Sequence, residues 1–84
     1  PEAVYNVAIE VQAYDREGLL RDVTTVLANE SVNVTGVNTF TDSQEHTAMM
    51  TILMEVNSLD ALGKVLARVR QLPNVIDANR KRDA

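Results

Sequence analysis

The chain has 84 residues, of which 45% are hydrophobic and 24% are charged, and its formal net charge is −4. This length accommodates one domain, and the composition is ordinary for a globular protein. The negative charge disfavours a free-standing nucleic-acid-binding domain, because such domains usually carry an excess of basic residues. The absence of cysteine excludes disulfides, thiolate metal sites and thiol nucleophiles. The single histidine excludes a metal site built from several imidazoles.

Neither a membrane-spanning segment nor a targeting segment is recognisable. No apolar run approaches the roughly 20 residues that a spanning helix needs, and no signal-peptide pattern opens the chain. We therefore expect a cytoplasmic location and no membrane partner. Because the chain begins at Pro1 without an initiator methionine, we also expect residues 1–84 to form a single domain of a longer, multidomain protein.

The first strand and the first helix are predicted from a change of hydrophobic period. Apolar and polar residues alternate from Tyr5 to Tyr14, which is typical of a strand with one buried face. The polar turn that follows ends at Gly18, a residue that adopts backbone angles other residues resist. Beyond it the apolar spacing becomes three and four, which predicts a helix with one buried stripe. That stripe comprises Leu19, Leu20, Val23, Val26 and Leu27.

Two strands and a polar loop follow the first helix. The second strand is predicted over Val32–Thr41, and its alternation slips at Gly36, which indicates a bulge or a close backbone approach. The loop 42–45 leads to a third strand, predicted over His46–Val56. The acids Asp42 and Glu45 in this region are interpreted as solubilising residues.

The second helix is predicted to begin after Ser58, whose hydroxyl suits an N-cap, and to stop before Pro73. A short fourth strand, Val75–Arg80, leads into the basic tail 80–82. The order β-α-β-β-α-β, with right-handed crossovers and one hairpin, predicts an α+β, ferredoxin-like fold. Its antiparallel sheet has the strand order 4-1-3-2, and both helices lie on one face.

The two edge strands of this sheet differ in charge. The second strand carries no charged residue from Val32 to Thr41, whereas the fourth strand ends in charge. A long uncharged edge pairs readily with another chain unless it is covered. We therefore predict a twofold-symmetric homodimer in which the second strands of two copies join into one continuous sheet. A loop or another domain of the parent protein is the alternative cover.

The sequence contains no catalytic pattern. No phosphate-binding glycine loop and no nucleophile–base pair is present, and His46 is interpreted as a solvated surface residue. We therefore predict that the segment is not an enzyme and uses no metal or cofactor. The open sheet face is predicted to be either an interaction patch or ordinary scattered exposure. Its apolar residues are Ala8, Tyr14, Met49 and Leu53.

The turn before the first helix is the remaining candidate site. Gly18 precedes a helix N-terminus, where unpaired amides and the helix dipole attract an anion such as a carboxylate. Asp15 offers an acceptor for an ammonium group, and Asn33 offers an amide that both donates and accepts. A zwitterionic amino acid suits this set of groups, although the same pattern also occurs as a simple capped turn.

The segment DREGLLRDVTTVLANESVNVTGVNT, residues 15–39, resembles the C-terminal ACT domain of RelA/SpoT-like (p)ppGpp synthetases and hydrolases. The Asp-Arg-x-Gly-Leu-Leu signature marks ACT domains in general, and the ending LPNVIDANR, residues 72–80, favours the narrower subfamily. The resemblance covers nearly the whole chain. It implies the βαββαβ fold, a regulatory role in the stringent response, and a parent chain whose catalytic half is a GTP pyrophosphokinase or a (p)ppGpp hydrolase.

The resemblance also implies where a ligand would bind. ACT domains that bind amino acids do so at the interface of a pair, between the turn after strand one and the start of strand two of the neighbour. The implied ligand here is a branched-chain amino acid, whose apolar side chain the two leucines would border. The residues carried over are Asp15, Gly18, Leu19 and Leu20, opposite Asn33 and Val34 of the neighbour.

Two alternatives stay open at this point. One is an interaction module without a small-molecule ligand, which docks on the ribosome, on tRNA or on the catalytic half of its own chain. The basic tail 80–82 would then contact phosphate, since the aromatic pattern that stacks bases in RNA-recognition modules is missing. The other is an ACT domain of an amino-acid biosynthetic enzyme such as a dehydrogenase.

Overall fold

The structure is a computed structural model that describes residues 4–81. Its sheet has the strand order β2-β3-β1-β4, and all neighbouring strands are antiparallel. The predicted order 4-1-3-2 and the predicted fold are therefore confirmed. Of the predicted basic tail, Arg82 lies outside the described residues. The elements are β1 (Tyr5–Tyr14), α1 (Leu19–Asn29), β2 (Asn33–Asp42), β3 (Thr47–Val56), α2 (Leu59–Arg70) and β4 (Val75–Arg80).

The core lies between one face of the sheet and the two helices. Buried residues alternate along β1 and β3, as the period of two predicts. The stripe predicted for α1 is wrong at Leu20, which is 46% exposed. Successive residues of a helix are separated by about 100°, so Leu20 lies well to the side of Leu19. The helices contribute Leu19, Val23 and Leu27 from α1 and Leu62, Val65 and Val69 from α2.

Helix α1 ends in a backbone cap that delays the start of β2. Ser31 has a left-handed φ of 59°, and its amide donates to the carbonyl of Ala28 at 3.1 Å. The amide of Val32 donates to the carbonyl of Leu27 at 3.1 Å, so it is engaged by the helix and not by the sheet. For this reason β2 begins at Asn33 and not at the predicted Val32.

The hairpin between β2 and β3 is organised by a carboxylate. The Oδ1 atom of Asp42 accepts the amides of Gln44 at 2.9 Å and of Glu45 at 3.2 Å. His46 is exposed and has a left-handed φ of 57°, so β3 begins at Thr47 and not at the predicted His46. Asp42 therefore shapes the turn in addition to being exposed.

The two sheet edges are β2 and the short β4. The register of β2 shifts between Val34 and Gly36, which confirms the predicted bulge. Phe40, which is 73% exposed, faces the open side of the sheet, and the exposed Val37 faces the helix side. The β2 edge thus presents apolar side chains on both faces. No helix in the described range is long and apolar enough to cross a membrane.

Helix α2 begins as predicted. Ser58 is its N-cap, and its Oγ atom accepts the amide of Ala61 at 3.1 Å. Arg70, the last residue of α2, donates from Nε to the carbonyl of Ala78 at 2.8 Å and so ties the helix to β4. These contacts place α2 over the β4 side of the sheet and leave α1 nearer to β2.

Candidate functional site

The turn between β1 and α1 is held by backbone hydrogen bonds. The amide of Asp15 donates to the carbonyl of His46 at 2.8 Å and joins the end of β1 to the start of β3. Gly18 has φ 80° and ψ 1°, a left-handed conformation that favours glycine. Its carbonyl accepts the amide of Asp22 at 2.9 Å, the first hydrogen bond of α1. Gly18 therefore turns the chain into the helix without a side-chain cap.

Arg16 ties this turn to two other parts of the chain. Its Nη2 atom lies 2.9 Å from Oδ2 of Asp22, and its Nε atom donates to the carbonyl of Pro73 at 3.2 Å. The hydrogen bond from Arg16 holds the pKa of Asp22 below its usual value, and the charges of Arg16 and Arg21 add to the effect. Because the pKa is lower in the folded state, this carboxylate stabilises the fold above its unfolded pKa. The contribution is lost as the pH falls through the folded pKa.

Arg21 lies directly over Gly18. A Cβ atom built on Gly18 would lie 3.0 Å from Nη2 of Arg21. The side chain of Arg21 is 79% exposed, and it contacts Asp22 at 3.5 Å. Its guanidinium is therefore accessible to an anion at the turn. The sequence reasoning missed Arg21, although its spacing from Gly18 is that of the capping box, in which the third helical residue reaches back over the N-cap.

Of the two leucines that follow Gly18, one is a core residue and the other is on the surface. Leu19 is 3% exposed and packs in the core, whereas Leu20 is accessible. Asp15 is exposed at the end of β1. Leu19 supports the turn from beneath. The surface of the turn is formed by Asp15, Glu17, Gly18, Leu20 and Arg21.

Asn33 and Val34 lie at the opposite end of the sheet. Asn33 pairs with Glu55, and its Nδ2 atom donates to Oε1 of Glu55 at 2.8 Å. Tyr14, which precedes the turn, pairs with Thr47. The residues of β3 from Thr47 to Glu55 span about 26 Å at the ordinary rise of a strand. One chain alone therefore does not bring the two parts of the predicted site together.

A second copy paired through β2 would bring the two parts of the predicted site together, one part from each copy. β2 ends at Asp42, which pairs with Thr47 at the same end of the sheet as the turn. In a twofold antiparallel pairing of β2 with itself, Asn33 of the second copy would lie beside that end. Helix α1 contacts β2, whereas α2 contacts β4 and β3. The turn that starts α1 is therefore on the side of the helix layer that a second copy would approach.

Metal-ligand clusters are not found in the described part of the chain. Residues 4–81 bring together no group of three histidine, cysteine, aspartate or glutamate side chains that could hold a metal ion.

Three comparisons relate the chain to known proteins. Residues 1–80 match a family model described as the ACT domain. The GTP pyrophosphokinase of Escherichia coli (strain K12) is 47% identical over 78 residues, which are 93% of this chain and 10% of that protein. The bifunctional (p)ppGpp synthase/hydrolase RelA of Mycobacterium tuberculosis is 39% identical over 80 residues, which are 95% of this chain and 11% of that protein. The chain thus spans about a tenth of the length of these curated relatives.

A solved structure shares the fold. The crystal structure of the ACT domain from the GTP pyrophosphokinase of Chlorobium tepidum has a TM-score of 0.81 and 15% sequence identity, and the match covers 94% of this chain and 100% of that chain. At this identity the likeness is one of fold. The family model, however, matches nearly the whole sequence, so the resemblance read from the signature at the first turn is confirmed: the chain belongs to the ACT domain family.

Proposed function

We propose that this chain is the regulatory ACT domain of a cytoplasmic protein that synthesises or hydrolyses (p)ppGpp. The 47% identity to the GTP pyrophosphokinase of Escherichia coli supports this parent activity. In the proposal, the segment pairs with a second copy through β2 and binds an amino acid between the two copies. It acts on the catalytic half of the parent chain through these two events and performs no chemistry itself.

The observation that supports a site shared by two copies is the separation of Gly18 from Asn33 within one chain. The two residues lie at opposite ends of the sheet, and an antiparallel pairing of two β2 strands would join them. The uncharged edge from Asn33 to Thr41, with the exposed Val37 and Phe40, supports the same pairing.

The groups at the turn suit the two charged groups that an α-amino acid carries on its Cα atom. The left-handed Gly18 opens the N-terminus of α1, and Arg21 lies above it, so a carboxylate is favoured there. The amide nitrogen of Asn33 already donates to Glu55. That contact holds the Asn33 side chain on the open face beside Glu55. The acceptor for the ammonium group at the turn is therefore the exposed carboxylate of Asp15.

An aliphatic side chain suits the remaining surface. Leu20 is accessible at the turn, and Val34 is half-buried beside Asn33 at the start of β2. Both are aliphatic, so valine, isoleucine and leucine are the ligands that we propose. A ligand that binds only the paired arrangement would stabilise it by its differential affinity and would so transmit amino-acid levels to the parent protein.

We expect millimolar valine, isoleucine or leucine to shift the backbone amides of Gly18, Leu19 and Asn33 in ¹⁵N-labelled protein. The measurement is an NMR titration of each amino acid, with glutamate as a control ligand that has the same backbone and a charged side chain. Arg21→Gln should weaken binding, because it removes the charge above Gly18. Its control is Lys64→Gln on α2, at an exposed residue that is in none of the ion pairs formed among residues 4–81. If none of the three amides moves at millimolar ligand, the sensing part of the proposal is contradicted.

A further inference from the structure

The open face of the sheet, which is the face away from the helices, carries an apolar strip on its central strands. Phe40 of β2 pairs with Met49 of β3, and Leu53 of β3 pairs with Ala8 of β1. Phe40 is the most exposed of the large apolar residues in the described range, and Leu53 is 49% exposed. We call Phe40, Met49, Leu53 and Ala8 the apolar strip.

Two shallow depressions flank the strip at Leu53. Gly36 on β2 and Ala8 on β1 are the small residues to either side of Leu53. The depression that includes Ala8 has a volume of about 310 Å³, and the one that includes Gly36 has about 370 Å³. Depressions of this size accept the side chains of a partner on either side of Leu53.

Carboxylates lie among and around the strip. Glu10 pairs with Thr51 and Glu55 pairs with Asn6, so both point to the open face, and Asp42 ends β2 on the same face. None of the ion pairs formed among residues 4–81 includes Glu10, Glu55 or Asp42. These three negative charges therefore have no cationic partner within the described range.

Two cations line this face in its described part: Arg80, the last residue of β4, and Lys81, which follows it. Both line the first depression, and Lys81 also lines the second. The three carboxylates outnumber these two cations. A second copy stacked on this face would therefore bring two negatively charged surfaces together. Single-stranded RNA would meet carboxylates on the central strands, where an RNA-recognition module has aromatic and basic residues. The charges thus favour a positively charged protein partner over both of these occupants.

We propose that the open face docks a protein helix that carries apolar and lysine or arginine side chains on one side. Leu53 and Met49 are separated by about 13 Å along β3 at the ordinary strand rise. Two turns of a helix span about 11 Å, so apolar residues two turns apart would contact both. Basic residues that flank them would reach Glu10 and Glu55. The surface is separate from the turn at Gly18 and adjoins the predicted amino-acid site only at the hydrogen bond from Asn33 to Glu55, so it would serve even if no amino acid binds at the turn.

The test uses a synthetic amphipathic peptide of leucine and lysine and a matched peptide in which every lysine is replaced by glutamate. We expect the basic peptide to shift the amides of Met49, Leu53 and Glu10, and the acidic peptide to leave them unchanged. The double variant Glu10→Gln/Glu55→Gln should bind the basic peptide roughly fivefold more weakly, as the loss of two partly exposed ion pairs predicts. Its control, Glu45→Gln/Asp60→Asn, changes the net charge equally and should bind as the wild type does.

Two leucine-to-alanine variants test the apolar strip itself. Leu53→Ala should weaken the binding of the basic peptide. Leu59→Ala, at an exposed leucine of α2, should leave that binding unchanged. Equal weakening by both charge variants would show non-specific attraction and would overturn the proposal. Shifts of the same amides on addition of polyuridylate would assign the face to RNA and would overturn the proposal. A shift of the Glu10 amide on β1, which is separated from β2 by β3, on raising the protein concentration alone would assign the face to a second copy and would also overturn it.

Discussion

Leu19→Ala is expected to lower the free energy of unfolding by about 3 kcal/mol, as is usual for a leucine truncated in a packed core. Leu19 is almost fully buried. A domain of this size has a total stability of roughly 4–13 kcal/mol, so the loss is a large share of the whole. Urea unfolding followed by circular dichroism measures it.

The neighbouring Leu20→Ala is the matched control, because it makes the same chemical change at an exposed position of the same helix. It should cost less than about 1 kcal/mol. Under the proposed function, Leu20→Ala should also weaken the binding of valine while leaving the fold intact. Comparable destabilisation by both variants would contradict the placement of Leu20 on the surface.

Asn38→Lys is expected to weaken self-association roughly tenfold or more, because like charges that face each other across paired strands repel. Asn38 lies near the middle of β2, so a twofold pairing brings the two copies of this residue close together. Sedimentation equilibrium over a range of protein concentrations measures the dissociation constant.

Asn79→Lys provides the control at the other edge of the sheet. Asn38, Thr51, Glu10 and Asn79 form one row across the four strands, so the two asparagines occupy matching positions on opposite edges. Asn79 also bonds to Arg70 and Asp77, so circular dichroism first checks that Asn79→Lys keeps the fold. Asn79→Lys should leave the dissociation constant unchanged. If it weakens association as much as Asn38→Lys does, or if neither has an effect, pairing through β2 is contradicted.

The fold was predictable because its hydrophobic periods are clear. The alternation along β1 and β3 and the spacing along the two helices are enough to order the elements, and Ser58 and Gly36 are local signals that the structure bears out. The errors are in the first residues of two strands, where the backbone conformation of the preceding residues sets the boundary. The amide of Val32 is used by the end of α1, and the left-handed His46 closes the hairpin, so β2 and β3 each begin one residue later than predicted.

The candidate site was less predictable, because a linear pattern does not say which residues share one end of a sheet. The periodicity placed Leu20 with Leu19, although a helix turns one of them out of the core. The contacts of Arg16 with Asp22 and Pro73 join residues far apart in the chain and have no local signal. Arg21 was also missed, although its spacing from Gly18 is a local signal for the contact.

The most direct test of a site shared by two copies uses a spin label on one copy and ¹⁵N enrichment of the other. The chain has no cysteine, so Asn29→Cys, at the exposed end of α1, allows a single label on unenriched protein. This protein is mixed with ¹⁵N-labelled, label-free protein, so that any broadening arises from the neighbour. The account predicts broadening of the amides of Gly18 and Leu20, which increases when valine is added. Unbroadened signals from the turn in a sample that sediments as a dimer would contradict it.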